Sequence, residues 1–150
     1  MRIRYSEEQV VWLEVPGETT LAYTITGCTV GCRGCHSVET WPAHRGEILS
    51  ERYLAAQLAR YRGLITCVLF LGGEWYPRQL LQLLKQVKNE GLKTCLYTGL
   101  ESIDESLKEQ LDYLKLGPWM AERGGLENRG SNQRFINLRT GMTENYKFWS

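Results

Sequence analysis

A single-domain α/β fold spanning residues 1–150, an open, partial βα barrel with a mostly parallel sheet, is predicted by three observations. Strand-like and helix-like segments alternate along the chain, the pattern that builds parallel sheets through right-handed crossovers. The segment LITCVLFL (residues 64–71) is short and almost continuously apolar, as in a strand covered on both faces. A closed eight-stranded α/β barrel takes ~250 residues. This chain has 150, room for only part of one.

The elements follow in order. TLAYTIT (residues 20–26) is rich in β-branched and aromatic residues and reads as a strand leading directly into a cysteine loop. Ser50 is placed to cap a helix through Tyr61, with Leu54, Leu58 and Tyr61 on one face and Gly63 as its end. After the strand at 64–71, GGEWY breaks the pattern. Pro77 then stands where a first helical residue belongs, and LLQLLKQVKNE runs to a stop at Gly91. LKTCLYT (residues 92–98) is the next strand. Ser102 and Glu105 have capping-box spacing before a short helix, IDESLKEQ. LDYLKL (residues 111–116) is a strand closed by Gly117-Pro118, residues 121–133 read as a loop, and RFINL is a last strand.

Composition excludes several classes. Apolar residues make up 43% and charged residues 23%, with a net charge of +1. No strong field is present to recruit nucleic acid or an anionic membrane, so partners must be recognised by shape and specific groups. The amino-terminal segment meets Glu7 and Glu8 too early for a signal peptide. No apolar run approaches the ~20 residues that span a bilayer. A cytoplasmic location is expected, where thiols stay reduced and clustered cysteines favour metal.

Three of the five cysteines, Cys28, Cys32 and Cys35, fall in GCTVGCRGCHSVETW with C-x3-C-x2-C spacing. Gly27, Gly31 and Gly34 surround them and let backbone amides approach sulfur. Disulfides would require a fourth cysteine, and Cys67 and Cys95 sit within apolar strand patterns as core residues. Structural zinc would need His36 or His44 as a fourth ligand, without the second knuckle that zinc modules usually have. A [4Fe–4S] cluster held by three thiolates would keep one iron open for a substrate or cofactor.

The C-x3-C-x2-C spacing resembles the signature of radical S-adenosylmethionine enzymes, in which the open iron chelates S-adenosylmethionine. Gly34 stands where most members have an aromatic residue, and a glycine there is a feature of small glycyl-radical activases. GGEW (Gly72, Gly73, Glu74, Trp75) resembles the family's ammonium-binding motif. Paired glycines let main chain approach, and a carboxylate balances the cation. Thr98 and Gly99 in YTG lie at the end of one strand, and Asp112, Lys115 and Gly117 on or beside the next. Lys115 is a candidate partner for the cofactor carboxylate, with a solvated strand-end lysine as the alternative. Asp112 orders its neighbours or caps the strand entrance. The order of GCTVGCRGC, HSVETW, GGEW, LYTG, LDYLKLGP and GSNQR resembles that in activating proteins of anaerobic, class III ribonucleotide reductases, over residues 23–134.

This resemblance implies cluster ligands Cys28, Cys32 and Cys35, and cofactor contacts from Gly34, Gly72, Gly73, Glu74, Thr98 and Lys115, with no catalytic residue beyond the cluster ligands. It implies S-adenosylmethionine as cofactor, and its reductive cleavage to a 5′-deoxyadenosyl radical. That radical takes hydrogen from a glycine of the large reductase subunit, with reduced flavodoxin or ferredoxin as electron donor. Trp41, Trp75 and Trp119 are candidate partner anchors, with packing as the alternative. Activation of another glycyl-radical enzyme, such as pyruvate formate-lyase, remains open, as do a small radical enzyme acting on a purine-like metabolite, a non-catalytic zinc or iron–sulfur module and an electron carrier.

Overall fold

The computed structural model describes residues 2–27 and 46–149. Among these, β1 (Arg4–Val11), β2 (Thr20–Ile25), β3 (Glu47–Ile48), β4 (Cys67–Leu71), β5 (Lys93–Tyr97), β6 (Tyr113–Leu116), β7 (Arg134–Asn137) and β8 (Met142–Thr143) form one sheet. Its order is β3-β1-β2-β4-β5-β6-β7-β8. The centre, β2-β4-β5-β6, is parallel throughout. The flanking pairs β1-β2, β1-β3, β6-β7 and β7-β8 are antiparallel. Helices α1 (Glu51–Arg60), α2 (Pro77–Asn89) and α3 (Glu105–Lys108) lie between the parallel strands, and a short 3-10 helix spans Asn145–Phe148. This is the expected open α/β sheet, with a parallel centre and antiparallel flanks. No described helix is long and apolar enough to cross a membrane.

Local chemistry explains the helices. Ser50 Oγ accepts the Tyr53 amide at 3.0 Å, satisfying one orphan donor at the start of α1. Pro77 opens α2, where its missing N–H has no intrahelical partner to lose. Helix α3 differs from expectation: Asp104, not Ser102, occupies the cap position, and no side chain caps it. Strand β4 begins at Cys67 because the Leu64 and Ile65 amides turn back onto the Tyr61 carbonyl.

The two sheet faces bury different sets. Val68, Phe70, Leu96 and Leu114 pack against Leu54, Leu58, Leu80, Leu83, Leu84 and Val87 of the helices. Each such side chain contributes about 1.5–3 kcal/mol on leaving water. The other face carries Ala22, Cys67, Leu69, Cys95, Tyr113 and Phe135, covered by Val15, Leu126 and Phe148. The central strands are therefore buried on both sides, as their apolar runs require. Layering of this kind leaves the strand ends as the exposed places where polar groups collect.

Candidate functional site at the carboxyl edge of the parallel strands

The registers Thr24↔Leu71, Leu71↔Tyr97 and Tyr97↔Lys115 align the four parallel strands, so the turns after them share one edge. Open α/β sheets place ligands at this edge. The Gly72 amide donates to the Tyr97 carbonyl at 2.9 Å, and the Thr98 amide to the Lys115 carbonyl at 3.0 Å. Gly72 and Gly73 have φ of 92° and 110°, conformations that L side chains rarely adopt. A Cβ on Gly72 would stand 2.5 Å from Trp75 Cη2. The Trp75 indole N–H in turn donates to the Thr26 carbonyl at 3.0 Å, joining this turn to the end of β2.

Glu74 is the chemically distinctive group. The Thr98 hydroxyl donates to Glu74 Oε1, while Thr98 Oγ1 accepts the Leu100 amide at 3.1 Å. Glu74 Oε2 is buried without a hydrogen-bond partner among the described residues. Burial raises the Glu74 carboxyl above its ordinary range, against the opposing effects of the Thr98 hydrogen bond and the nearby Lys115 charge. A buried carboxylate oxygen with no donor is costly unless a ligand completes it. What fits is a cation that donates hydrogen bonds, such as an ammonium group. A cavity of about 250 Å³ adjoins it, lined by Glu74, Leu100, Ser102, Ile103, Asp104 and Leu107.

The neighbouring turn is tied to the polar loop at 131–133. Asn132 Nδ2 donates to the Pro118 carbonyl at 3.0 Å, and Gln133 Nε2 to the Gly117 carbonyl at 3.4 Å. LKLGP and GSNQR are thus in contact. Lys115 sits on the face away from the helices, its ammonium 5.2 Å from the centre of the Tyr97 ring.

The structure brings Gly72, Gly73, Glu74 and Thr98 together and sets Lys115 two strands over from β4, within electrostatic reach of Glu74. Cys28, Cys32, Cys35 and Gly34 lie outside the described residues, as do His36, His44 and Trp41. Gly27, which precedes Cys28 in sequence, follows β2 at the same edge as Gly72. Cys67 and Cys95 are fully buried in the sheet, as expected for core residues. Asp112 lies at the opposite edge, accepting from Lys88 Nζ at 3.1 Å and the Thr94 amide at 2.9 Å. Its role there is to order the strand entrance. Trp75 and Trp119 are half-buried, and Trp75 is committed to Gly72 and Thr26. The sequence carried no local signal for the Trp75–Thr26 and Thr98–Glu74 bonds, which join separate strand ends, whereas the Leu100 amide to Thr98 bond is a local turn two residues long.

Residues 15–132 match the family model described as a 4Fe-4S single cluster domain. The chain is also 30% identical over 113 residues to a pyruvate formate-lyase-activating enzyme of Clostridium pasteurianum. That alignment takes in 69% of this chain but 47% of the relative, so the chain spans about half the length of the curated relative it matches. With well over half of its residues matched, the chain belongs to the 4Fe-4S single cluster domain family.

Proposed function

We propose that this protein is a radical S-adenosylmethionine activase that generates a glycyl radical on a large partner enzyme, the anaerobic ribonucleotide reductase. The observation that carries the reading is Glu74 Oε2, buried and without a donor among the described residues, at the edge where β2 leads into the segment bearing Cys28, Cys32 and Cys35. These three cysteines would hold the [4Fe–4S] cluster, an assignment supported by the family match. When bound, the cluster and S-adenosylmethionine supply reductive carbon–sulfur cleavage and a radical able to take hydrogen from a partner glycine.

This chain's own residues bind and orient. Glu74 receives the methionine ammonium on Oε2, with Oε1 occupied by Thr98. Gly72 and Gly73 hold the backbone where main-chain groups approach the ligand, since a side chain at either would be strained and one at Gly72 would strike Trp75. Lys115 stands as the cation for the methionine carboxylate. Gly34 precedes the third cysteine in sequence and brings no side chain to the cofactor. Reduced flavodoxin or ferredoxin is the proposed electron donor. The contact between Gly117-Pro118 and Asn132-Gln133 supports the ribonucleotide reductase reading, because those two motifs carry the resemblance to its activase. A second reading, activation of pyruvate formate-lyase, is favoured by the named relative.

The test is anaerobic reconstitution with iron and sulfide, followed by electron paramagnetic resonance of the reduced protein with and without S-adenosylmethionine. A [4Fe–4S] signal that changes shape with the cofactor is expected, and a glycyl doublet should appear on mixing with anaerobic ribonucleotide reductase. A doublet only with pyruvate formate-lyase would move the assignment to the second reading. Bound zinc without labile sulfide would overturn both.

A further inference from the structure

We propose that Thr98 is a positioning residue that aims Glu74, committing Oε1 to its own hydroxyl and presenting Oε2 to the cationic ligand. The inference rests on the reading of Glu74 as the ammonium ligand, and it assigns Thr98 no contact with that ligand.

The geometry makes the direction of the hydroxyl definite. Thr98 is 3% exposed, so water does not compete for it. A threonine hydroxyl has one proton to donate and two lone pairs to accept with. One lone pair receives the Leu100 amide at 3.1 Å, two residues on. The proton therefore goes to Glu74 Oε1. The backbone is held as well, since the Thr98 amide donates to the Lys115 carbonyl at 3.0 Å. Threonine is stiff at χ1, so pinning the main chain and Oγ1 leaves little freedom. Glu74, in contrast, follows two glycines and has a long side chain with several rotamers. Without the hydroxyl it would sample orientations that turn Oε2 away from the ligand.

The same bond bears on charge. Burial raises the Glu74 carboxyl, and the Thr98 hydrogen bond is the first of the effects that oppose it. The other charged groups facing this side chain are Lys115 on β6, which favours the ionised form, and Asp104 ahead of α3, which lines the same cavity. Losing the hydroxyl would leave Lys115 as the principal side-chain group favouring ionisation.

The experiment compares Thr98→Val, Thr98→Ser, Glu74→Gln and the Thr98→Val/Glu74→Gln double variant. Each is reconstituted as the full chain with its cluster and titrated with S-adenosylmethionine by calorimetry. Removing a hydrogen bond to a charged group is worth about tenfold in affinity. Thr98→Val should weaken binding by about that factor, Thr98→Ser should restore it, and Thr98→Val should add nothing in the Glu74→Gln background. A second readout needs no cluster: carbon-detected NMR of carboxyl-labelled protein should show Glu74 titrating at higher pH in Thr98→Val than in wild type or Thr98→Ser. Should Thr98→Val fail to fold, Thr98→Ala makes the same comparison.

Undiminished binding by Thr98→Val beside a weakened Glu74→Gln would overturn the positioning role and leave the reading of Glu74 intact. An equal loss from Thr98→Val in both backgrounds would make Thr98 a direct ligand and also overturn it. Full affinity in Glu74→Gln would remove the underlying reading itself.

Discussion

The indole N–H of Trp75 donates to the carbonyl of Thr26 at 3.0 Å, across 49 residues of sequence. Through it the Gly-Gly-Glu turn after β4 holds the end of β2, one residue before Gly27 and two before Cys28. Trp75→Phe keeps an aromatic ring over Gly72 and deletes the donor. A loss of about 1–2 kcal/mol is expected in urea denaturation. Reconstituted Trp75→Phe should also release iron to a chelator faster than wild type. Lower stability with unchanged iron release would show that the clamp steadies the fold and not the cysteine segment.

Gly72 and Gly73 should respond differently to alanine. Both have φ in the left-handed region, which a side chain populates at a cost of about 1–3 kcal/mol. At Gly73 the added Cβ meets only ordinary contacts at 3.5 Å and beyond, whereas at Gly72 it meets the rigid Trp75 ring at 2.5 Å. Gly72→Ala is therefore the more destabilising. Adding Trp75→Ala should recover part of the loss, a coupling visible in a double-mutant cycle. Additive losses in that cycle would rule the clash out as the cause.

What could be read in advance was local. Ser50, Pro77 and the apolar run ending at Leu71 announce themselves because capping, ring closure and burial are decided by neighbouring residues. The Gly-Gly-Glu turn was legible for the same reason: positive φ demands glycine. Strand β1 was not, because RYSEEQVV has three exposed residues, none fully buried, and owes its pairing to β2 and β3. Ser102 misled because a four-residue helix has too little to gain from a full capping box. The meeting of Glu74 and Thr98 depends on the register between Leu71 and Tyr97, which local patterning does not encode.

Cys67 and Cys95 offer a test of the cysteine assignments. Both are fully buried, and burial pushes both thiols well above their ordinary range, Cys67 with a further contribution from Glu18. Thiolate is the reactive form, so both should resist iodoacetamide in the folded protein and react once it is denatured. A Cys67→Ala/Cys95→Ala variant should keep its full iron and sulfide content, whereas Cys28→Ala should lose it. Iron loss in the first variant would make these two cysteines cluster ligands and overturn their reading as core residues.

At the opposite edge, Glu18 is 8% exposed and accepts from Thr66 Oγ1 at 2.7 Å, Lys93 Nζ at 2.9 Å and the Tyr113 hydroxyl at 2.9 Å. Burial alone would raise its carboxyl, but these three donors together hold it below the ordinary value near 4.5. A depressed folded value stabilises the protein above the unfolded value. That contribution is lost as pH falls from about 5 through the folded value. Glu18→Gln should flatten this part of the stability curve. An unchanged acid limb would place acid sensitivity elsewhere.

Glu74 carries the opposite sign. Its folded carboxyl is raised, so its contribution to stability is fully present below the unfolded value and is lost as pH rises through the folded one. As pH rises through that folded value, the ligand-free protein comes to hold a buried charge whose Oε2 has no partner among the described residues, a cost tolerated for binding. Glu74→Gln removes the charge and keeps an acceptor for Thr98. In the absence of ligand it should be more stable than wild type by up to about 1 kcal/mol at neutral pH, with the advantage gone near pH 4. S-adenosylmethionine should then raise the melting temperature of wild type more than that of Glu74→Gln, reversing the order of the two. If Glu74→Gln were less stable at neutral pH without ligand, the carboxylate would be a structural anchor, and the open oxygen would lose its meaning as a binding site.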